Sequence, residues 1–452
     1  MRVTKHRRVG NVCLCAAGIL LAAGWCFAQT DPGPRGGPAG AGGAIAGLTA
    51  GERDFFRNVA TGVFAEIEDV GDGLGPRFNL DSCGGCHAHP VLGGSSPSIN
   101  PQVARAALMA PGNTVPSFLT ANGPVREVRF IRNSDGSADG GVHAIFTIAG
   151  RPDKPAGCSI QQPDFAAQQR RNNLSFRIPT PTFGNGLIEA IPDFVLKNNL
   201  ASDPGGFKSR YGISGHLNTN GNDGTVTRFG WKGQNKSLTI FSGEAYNVEM
   251  GVTNEVFPNE RDEDSRCATN GTPESHHTFN VGSTTPSDVV AFTAFMRFLD
   301  QPTPVSSYGN VSANSINNGR FLFLAVGCAL CHTPTLTTGS SSSAALNNKA
   351  ANLYSDLAVH NMGSTLADGV TQGAAGPDEF RTAPLWGLGQ RIFFLHDGRT
   401  RDLMEVIDAH STECSRNSSS SCKESEANQV IDNFNGLRSS QKQDILNFLR
   451  SL

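Results

Sequence analysis

The chain has 452 residues, enough for two or three domains and a large buried core. Only 17% of residues are charged, with 52 Gly and 25 Pro, which suits a compact, loop-rich extracytoplasmic protein better than a long-helix protein. Lys plus Arg number 37 against 40 Asp plus Glu, and a balance of −3 with no basic run beyond the N-terminus excludes a nucleic-acid partner.

Residues 1–28 carry the pattern of a secretory signal. Arg2, Lys5, Arg7 and Arg8 form a basic start, Val12–Trp25 an apolar run, and "CFA" a small-residue cleavage site at Ala28. The alternative is an uncleaved anchor, because the apolar run is near the lower limit for spanning a bilayer. Trp25 is too bulky for the position before a lipidated cysteine, which argues against a lipoprotein at Cys26. No later stretch is apolar and long enough to cross, so a periplasmic or otherwise exported protein without a stable membrane span after cleavage is expected.

Residues 29–47, containing "TDPGPRGGPAGAGGA", read as a flexible Gly/Pro linker. "TAGERDFFRNVATGVF" opens with a Thr49/Glu52 capping-box spacing and predicts a helix. Between about Phe130 and Glu255 short β-type runs, "EVRFI", "HAIFTIAG" and "SLTIFSG", alternate with Gly/Asn turns. "TPSDVVAFTAFMRFLD" (Thr285–Asp300) predicts an amphipathic helix, and "QPTP" after it marks a boundary between a unit at 48–302 and a second at 303–452. The second unit opens with a helix, "NSINNGRFLFLAV", and closes with "SSQKQDILNFLRSL", where Ser440 and Gln443 suggest another capping box.

Three of the 11 Cys leave with the signal. Cys158, Cys267, Cys414 and Cys422 form an even set, and an oxidising compartment permits two disulfides of open connectivity. The other four lie in "CGGCH" (Cys83–His87) and "CALCH" (Cys328–His332). Two thiols three residues apart can each form a thioether to a vinyl group of one porphyrin, and the adjacent histidine then reaches the iron. A zinc knuckle or a redox pair would not require His after both pairs. Two covalently bound haem c groups are therefore expected, on Cys83, Cys86 and His87 and on Cys328, Cys331 and His332.

The sixth ligands decide function, since a haem with both axial positions filled transfers electrons and one with an open face binds peroxide or oxygen. His89 is too close to His87 to reach the opposite face, while Met250 and Met362 are loop methionines with thioethers to offer. His410 differs. A helix over Arg401–His410 places Leu403, Val406, Ile407 and His410 on one stripe, which puts the imidazole on the apolar face. A core histidine bonded to the backbone would read the same way.

"GLGPRFNLDSCGGCHAHPVLGG", "FGNGLIEAIPDFVL", "RFGWKG", "EMGVTNEVFP", "GCALCHTPTL", "YSDLAVHNMG", "EFRTAPLWGLG" and "FLHDGRTRDLMEVIDAHS" together resemble the di-haem oxidoreductase family, in order along almost all of the mature chain. That family is similar to bacterial di-haem cytochrome c peroxidases and to the enzyme that matures methylamine dehydrogenase. The resemblance implies a mainly α fold of two cytochrome c-like domains, the first with β-rich insertions. It makes His332 and His410 the axial ligands of the second haem, where relatives carry Met or Tyr in place of His410, and two imidazoles generally lower the potential. It points to Glu189 as a distal acid at the first haem and to Thr382 and Pro384 as backbone donors to a Ca²⁺ between the haems. Trp231 and Trp386 are relay candidates or plain core residues. Three functions follow as expectations: peroxide reduction with electrons from a small donor protein or a quinol-linked chain, non-catalytic electron transfer, or a di-haem oxygenase.

Overall fold

The computed structural model describes residues 29–109, 112–259, 264–268, 270–414 and 422–452, so the predicted signal at 1–28 lies outside the described residues. The fold is helix-rich, with four two-stranded antiparallel ladders among the described residues. Arg77–Phe78 pairs with Phe146–Thr147, Glu127–Phe130 with Leu174–Arg177, Leu336–Thr337 with Ala350–Ala351, and Val359–Asn361 with Glu379–Arg381. The stretch expected to be rich in β structure thus contributes short ladders only.

"SLTIFSG" is the clearest difference. Its β-branched residues suggest a strand, yet Ser237 caps a helix over Leu238–Met250, its hydroxyl accepting from the Ile240 N–H. Leu238, Ser242, Tyr246 and Met250 are buried at a spacing of four, so tertiary burial of one stripe outweighs local strand preference. That helix packs on Asp288–Phe298, capped by Ser287. Phe64, from the helical run that begins at Ala50 behind a Thr49/Glu52 capping box, stacks on Phe295 at 4.1 Å. In the C-terminal part, the helices Ala313–Val326 and Ser439–Leu449 form the main pair. The second of these is capped from Arg438 with Gln441, two positions earlier than the Ser440/Gln443 spacing suggests.

Two apolar cores result. The larger gathers Phe56, Phe64, Leu187, Tyr246 and Phe295, and it draws Leu336, Leu346, Leu353 and Trp386 from beyond residue 302. The smaller is built from Ile316, Phe323, Leu403, Phe434, Leu446 and Phe448. Disulfides join Cys158 to Cys267 and Cys414 to Cys422. The first closes a loop of 109 residues, a constraint worth about 4–5 kcal/mol through the unfolded chain.

The Gly/Pro stretch at 29–47 is held as a strap, where a loose linker was expected. Ile45 N–H donates to Phe298 O, Asp300 N–H to Gly43 O, Thr303 N–H to Gly40 O and Arg35 N–H to Gly389 O. Asp31 takes a bidentate pair from Arg450, at 2.8 and 2.6 Å, and accepts the Leu403 N–H at 2.9 Å. The Arg450 side chain is fully buried. Proline here lowers the cost of ordering an extended path, glycine adds to it, and the hydrogen bonds and one carboxylate then fix the path.

Asp31→Ala leaves that guanidinium buried without its carboxylate, and a loss of about 3–5 kcal/mol in denaturant unfolding is expected. A loss within ~0.5 kcal/mol, ordinary for a surface change, would show that the strap does not hold the fold.

Candidate functional site

Two large cavities are lined by the two Cys-x-x-Cys-His segments. The first, of about 160 Å³, is walled by Cys83, Cys86, His87, Phe64, Leu80, Phe292 and Met296. Cys83–Cys86 form one helical turn, and the His87 N–H closes it on Cys83 O at 3.0 Å. The second, of about 210 Å³, is walled by Cys328, Cys331, His332, His410, Phe394 and Leu449, with the His332 N–H on Cys328 O at 2.9 Å. Because the two cysteine pairs wall separate cavities, they do not converge on a single four-cysteine metal site. Burial pushes the Cys83 and Cys328 thiols up to about 12, which keeps an unmodified thiol protonated and a poor zinc ligand.

Each candidate axial histidine is oriented by its own backbone bond. His87 Nδ1 lies 2.9 Å from Gly94 O, His332 Nδ1 3.0 Å from Tyr354 O, and His410 Nδ1 2.7 Å from Val406 O. A carbonyl only accepts, so each Nδ1 carries the proton and each Nε2 keeps its lone pair. Burial lowers all three imidazoles, His332 to about 4, with the charge of His410 a further cause. Rings that resist protonation are available as neutral ligands. His410 stands at the C-terminal cap of the helix Leu403–Ala409, whose start is capped by Asp402. The structure thus brings His332 and His410 to one cavity.

Trp231 lines both cavities and the small chamber between them, and its indole N–H donates to Ile178 O at 2.9 Å. His396, of the "HDG" turn, sits 6.5 Å from Trp231 and stacks on Phe380 at 4.4 Å. Trp386 lines the small chamber alone and belongs to the larger core. Arg381 and Arg391 also line chamber and second cavity. Burial lowers both guanidinium groups to about 10, neither has a carboxylate partner among the described residues, and Arg391 Nε lacks a hydrogen bond. Two such cations call for anionic groups beside them. A haem in each cavity fits these features: close-packed interiors do not sustain apolar voids of this size, and its carboxylates would meet the arginines.

The other expected site residues are placed elsewhere. Glu189 does not line the first cavity. Its carboxylate accepts the Leu238 N–H at 2.8 Å and the Arg297 Nε–H at 2.7 Å, so it caps one helix and ties it to another. Thr382 O accepts the Ser355 hydroxyl at 2.7 Å, and Pro384 lines the chamber, which has two guanidinium groups and no carboxylate in its wall. That wall offers no charge to a Ca²⁺. His89 bonds to Gln390 O. Met250 lines the first cavity with its sulfur 3.8 Å from Cys83 Sγ, and Met362 lines the second.

Three acids in the first cavity wall are absent from the sequence reading: Glu127, Glu244 and Glu249. Burial and then the Glu127 charge push Glu249 well above the carboxylate range, while Asn79 donates to it at 2.9 Å. Burial opposes the charge on Glu127 as well, but Arg129 beside it outweighs burial and holds the group low. Glu249 is therefore the member of the pair that favours the protonated form, with a side-chain hydrogen bond to Glu127. The signal was the 3.6-residue period in "SLTIFSGEAYNVEM": read as a helix, Ser242, Ala245 and Glu249 share a face.

Among solved structures, the chain is similar to hydrazine synthase of Kuenenia stuttgartiensis, at 21% identity over 37% of this chain and 56% of that one, with a TM-score of 0.22. It therefore spans little more than half of that relative. It is also similar to a MauG-like protein associated with microbial copper homeostasis, at 18% identity over 60% of this chain and 89% of that one, with a TM-score of 0.29. No curated protein matches the chain. The family model described as "Di-haem oxidoreductase, putative peroxidase" matches residues 130–452, and the chain belongs to that di-haem oxidoreductase family.

Proposed function

We propose that this chain is an exported di-haem c-type cytochrome. In this reading it reduces peroxide or a related small oxidant at the His87 site, with electrons relayed through the His332/His410 site. Cys83 and Cys86, and Cys328 and Cys331, would hold the two groups by thioethers within two cytochrome c-like units divided near residue 302. The electrons would come from a small donor protein or a quinol-linked chain. When bound, the haems supply one-electron redox chemistry and, at an open iron face, a place for the oxidant. Ca²⁺ has no part in the proposal, because the chamber wall carries only positive charge.

The observation that carries the reading is the buried Glu127/Glu249 pair in the His87 cavity. Reduction of hydrogen peroxide to two waters consumes two electrons and two protons, and it needs a group that takes a proton from one oxygen and returns it to the other. A pair sharing one proton does both, Glu127 as base and Glu249 as acid. Arg129 keeps the pair from taking up a second proton. Trp231, in the wall of both cavities, supports the relay. Met250 and Met296, two thioethers in the first cavity wall, favour the second reading, a non-catalytic carrier with both haems six-coordinate.

Replacing both Cys83 and Cys86, or both Cys328 and Cys331, by Ser should halve the covalent haem seen on a haem-stained denaturing gel, and undiminished staining would refute thioether attachment there. Glu127→Gln and Glu249→Gln should each slow the reaction with hydrogen peroxide by roughly 10²–10⁴-fold in stopped flow. Glu189→Gln should leave that rate unchanged and lower stability by about 1–3 kcal/mol. The opposite pattern would return the acid role to Glu189. EPR of the oxidised protein should show one high-spin and one low-spin haem, with His410→Ala perturbing the low-spin signal alone. Two low-spin signals, before and after one-electron reduction, would establish the carrier.

A further inference from the structure

Glu68, Asp72, His276, His277 and Asp288 cluster outside both cavities, where the start of the helix Asp288–Phe298 meets the segment before Arg77. Glu68 and Asp288 are each 1% exposed, and no Lys or Arg pairs with either among the described residues. Glu68 Oε1 accepts the Tyr246 hydroxyl at 3.1 Å, whereas Oε2 is buried without a hydrogen-bond partner. His276 Nδ1 stands 3.9 Å from that Oε2 and 3.8 Å from Asp288 Oδ2. Both spacings are too long for a hydrogen bond. His277 Nδ1 is 3.2 Å from Asp288 Oδ1.

Donors on a tetrahedral ion, at bond lengths of about 2.0–2.2 Å, stand roughly 3.3–3.6 Å from one another. The ligand atoms of Glu68, Asp72 and His276 lie within 4.8 Å of one another, as do those of His276, His277 and Asp288, so an ion has to draw one of these groups together.

We infer that Glu68, Asp72 and His276, flanked by His277 and Asp288, form a binding site for a divalent first-row metal ion, Zn²⁺ in particular. Imidazole mixed with carboxylate suits zinc better than the all-oxygen preference of Ca²⁺ or Mg²⁺. His276 is exposed and gives the ion a way in, while Glu68 and Asp288 form the buried floor. The ion would pin Glu68 to His276, whose neighbour His277 meets Asp288 at the start of the helix that puts Phe292 and Met296 in the first cavity wall. Tyr246, which holds the other oxygen of Glu68, lines that cavity too.

The test uses untagged, haem-loaded protein, washed with chelator, equilibrated with Zn²⁺ and dialysed. Elemental analysis should find one zinc per chain, and zinc should raise the melting temperature. His276→Ala, an exposed position, should weaken zinc binding by at least the roughly 10–100-fold that loss of an outer partner of a metal ligand costs. It should also abolish the thermal shift while leaving the haem spectrum intact. Glu68→Gln should weaken binding in the same way. Zinc at the level of the buffer blank, zinc retained in full by both variants, or displacement by equimolar Ca²⁺ would each overturn the assignment.

Discussion

Two cavities of about 160 and 210 Å³ meet at one indole, and the chain has to keep both walls in place around Trp231. Apolar packing alone closes such spaces, because side chains collapse toward the density of an organic solid. Buried charge resists that collapse. Arg177 pairs with Asp368, Lys232 lies 3.3 Å from Asp368, and the Lys232 ammonium also donates to Gly376 O and Glu379 O. These residues fasten the Leu174–Arg177 and Val359–Arg381 ladders together behind Trp231 and His396. Burial lowers Lys232 to about 8, yet its oxygen partners favour the charged form, so the anchor works as an ion with its acceptors already in position. Walls fixed in this way leave Arg381 and Arg391 free to meet a group that the chain itself does not supply.

Continuity between the two cores follows from the same demand. Each cavity borrows from both sides: Arg177 and Trp231 come from the earlier part of the sequence, Gln372 and Arg391 from the later part. The strap at 29–47 then closes the far edge. It runs antiparallel to Leu299–Thr303 and ends on Arg450, next to the helices of the smaller core. A relay between two sites requires fixed separation as well as proximity. The strap and the shared indole limit how far one unit can swing against the other.

Much of this was legible in the sequence wherever chemistry demands adjacent residues. The Cys-x-x-Cys-His turns, the Thr49/Glu52 cap and the apolar stripe ending at His410 are local patterns, and local patterns survive translation into structure. What stayed hidden depends on contacts between distant segments. Glu127 and Glu249 are 122 positions apart, and although Glu249 opens "EMGVTNEVFP", nothing local to that segment points to Glu127. The strand-like look of "SLTIFSG" concealed the helical face that carries Glu249. Glu189, singled out by motif position, turned out to spend both oxygens on Leu238 and Arg297.

His410 and Met362 both line the second cavity, and their backbone settings separate them as ligand candidates. The His410 ring is held by Nδ1 to the carbonyl four residues earlier, at the end of a helix whose Leu403 is buried in the smaller core. That bond selects the tautomer and aims the free nitrogen before any iron arrives, which removes most of the ordering cost of ligation. Met362 has its backbone committed, its N–H to Asp378 O and its carbonyl to the Thr412 hydroxyl, but its side chain has three rotatable bonds and nothing polar to fix the sulfur. Pre-organisation therefore favours the imidazole. A haem held between His332 and His410 would sit at a lower potential than one held by His and Met, which suits a site that passes electrons onward to a strong oxidant.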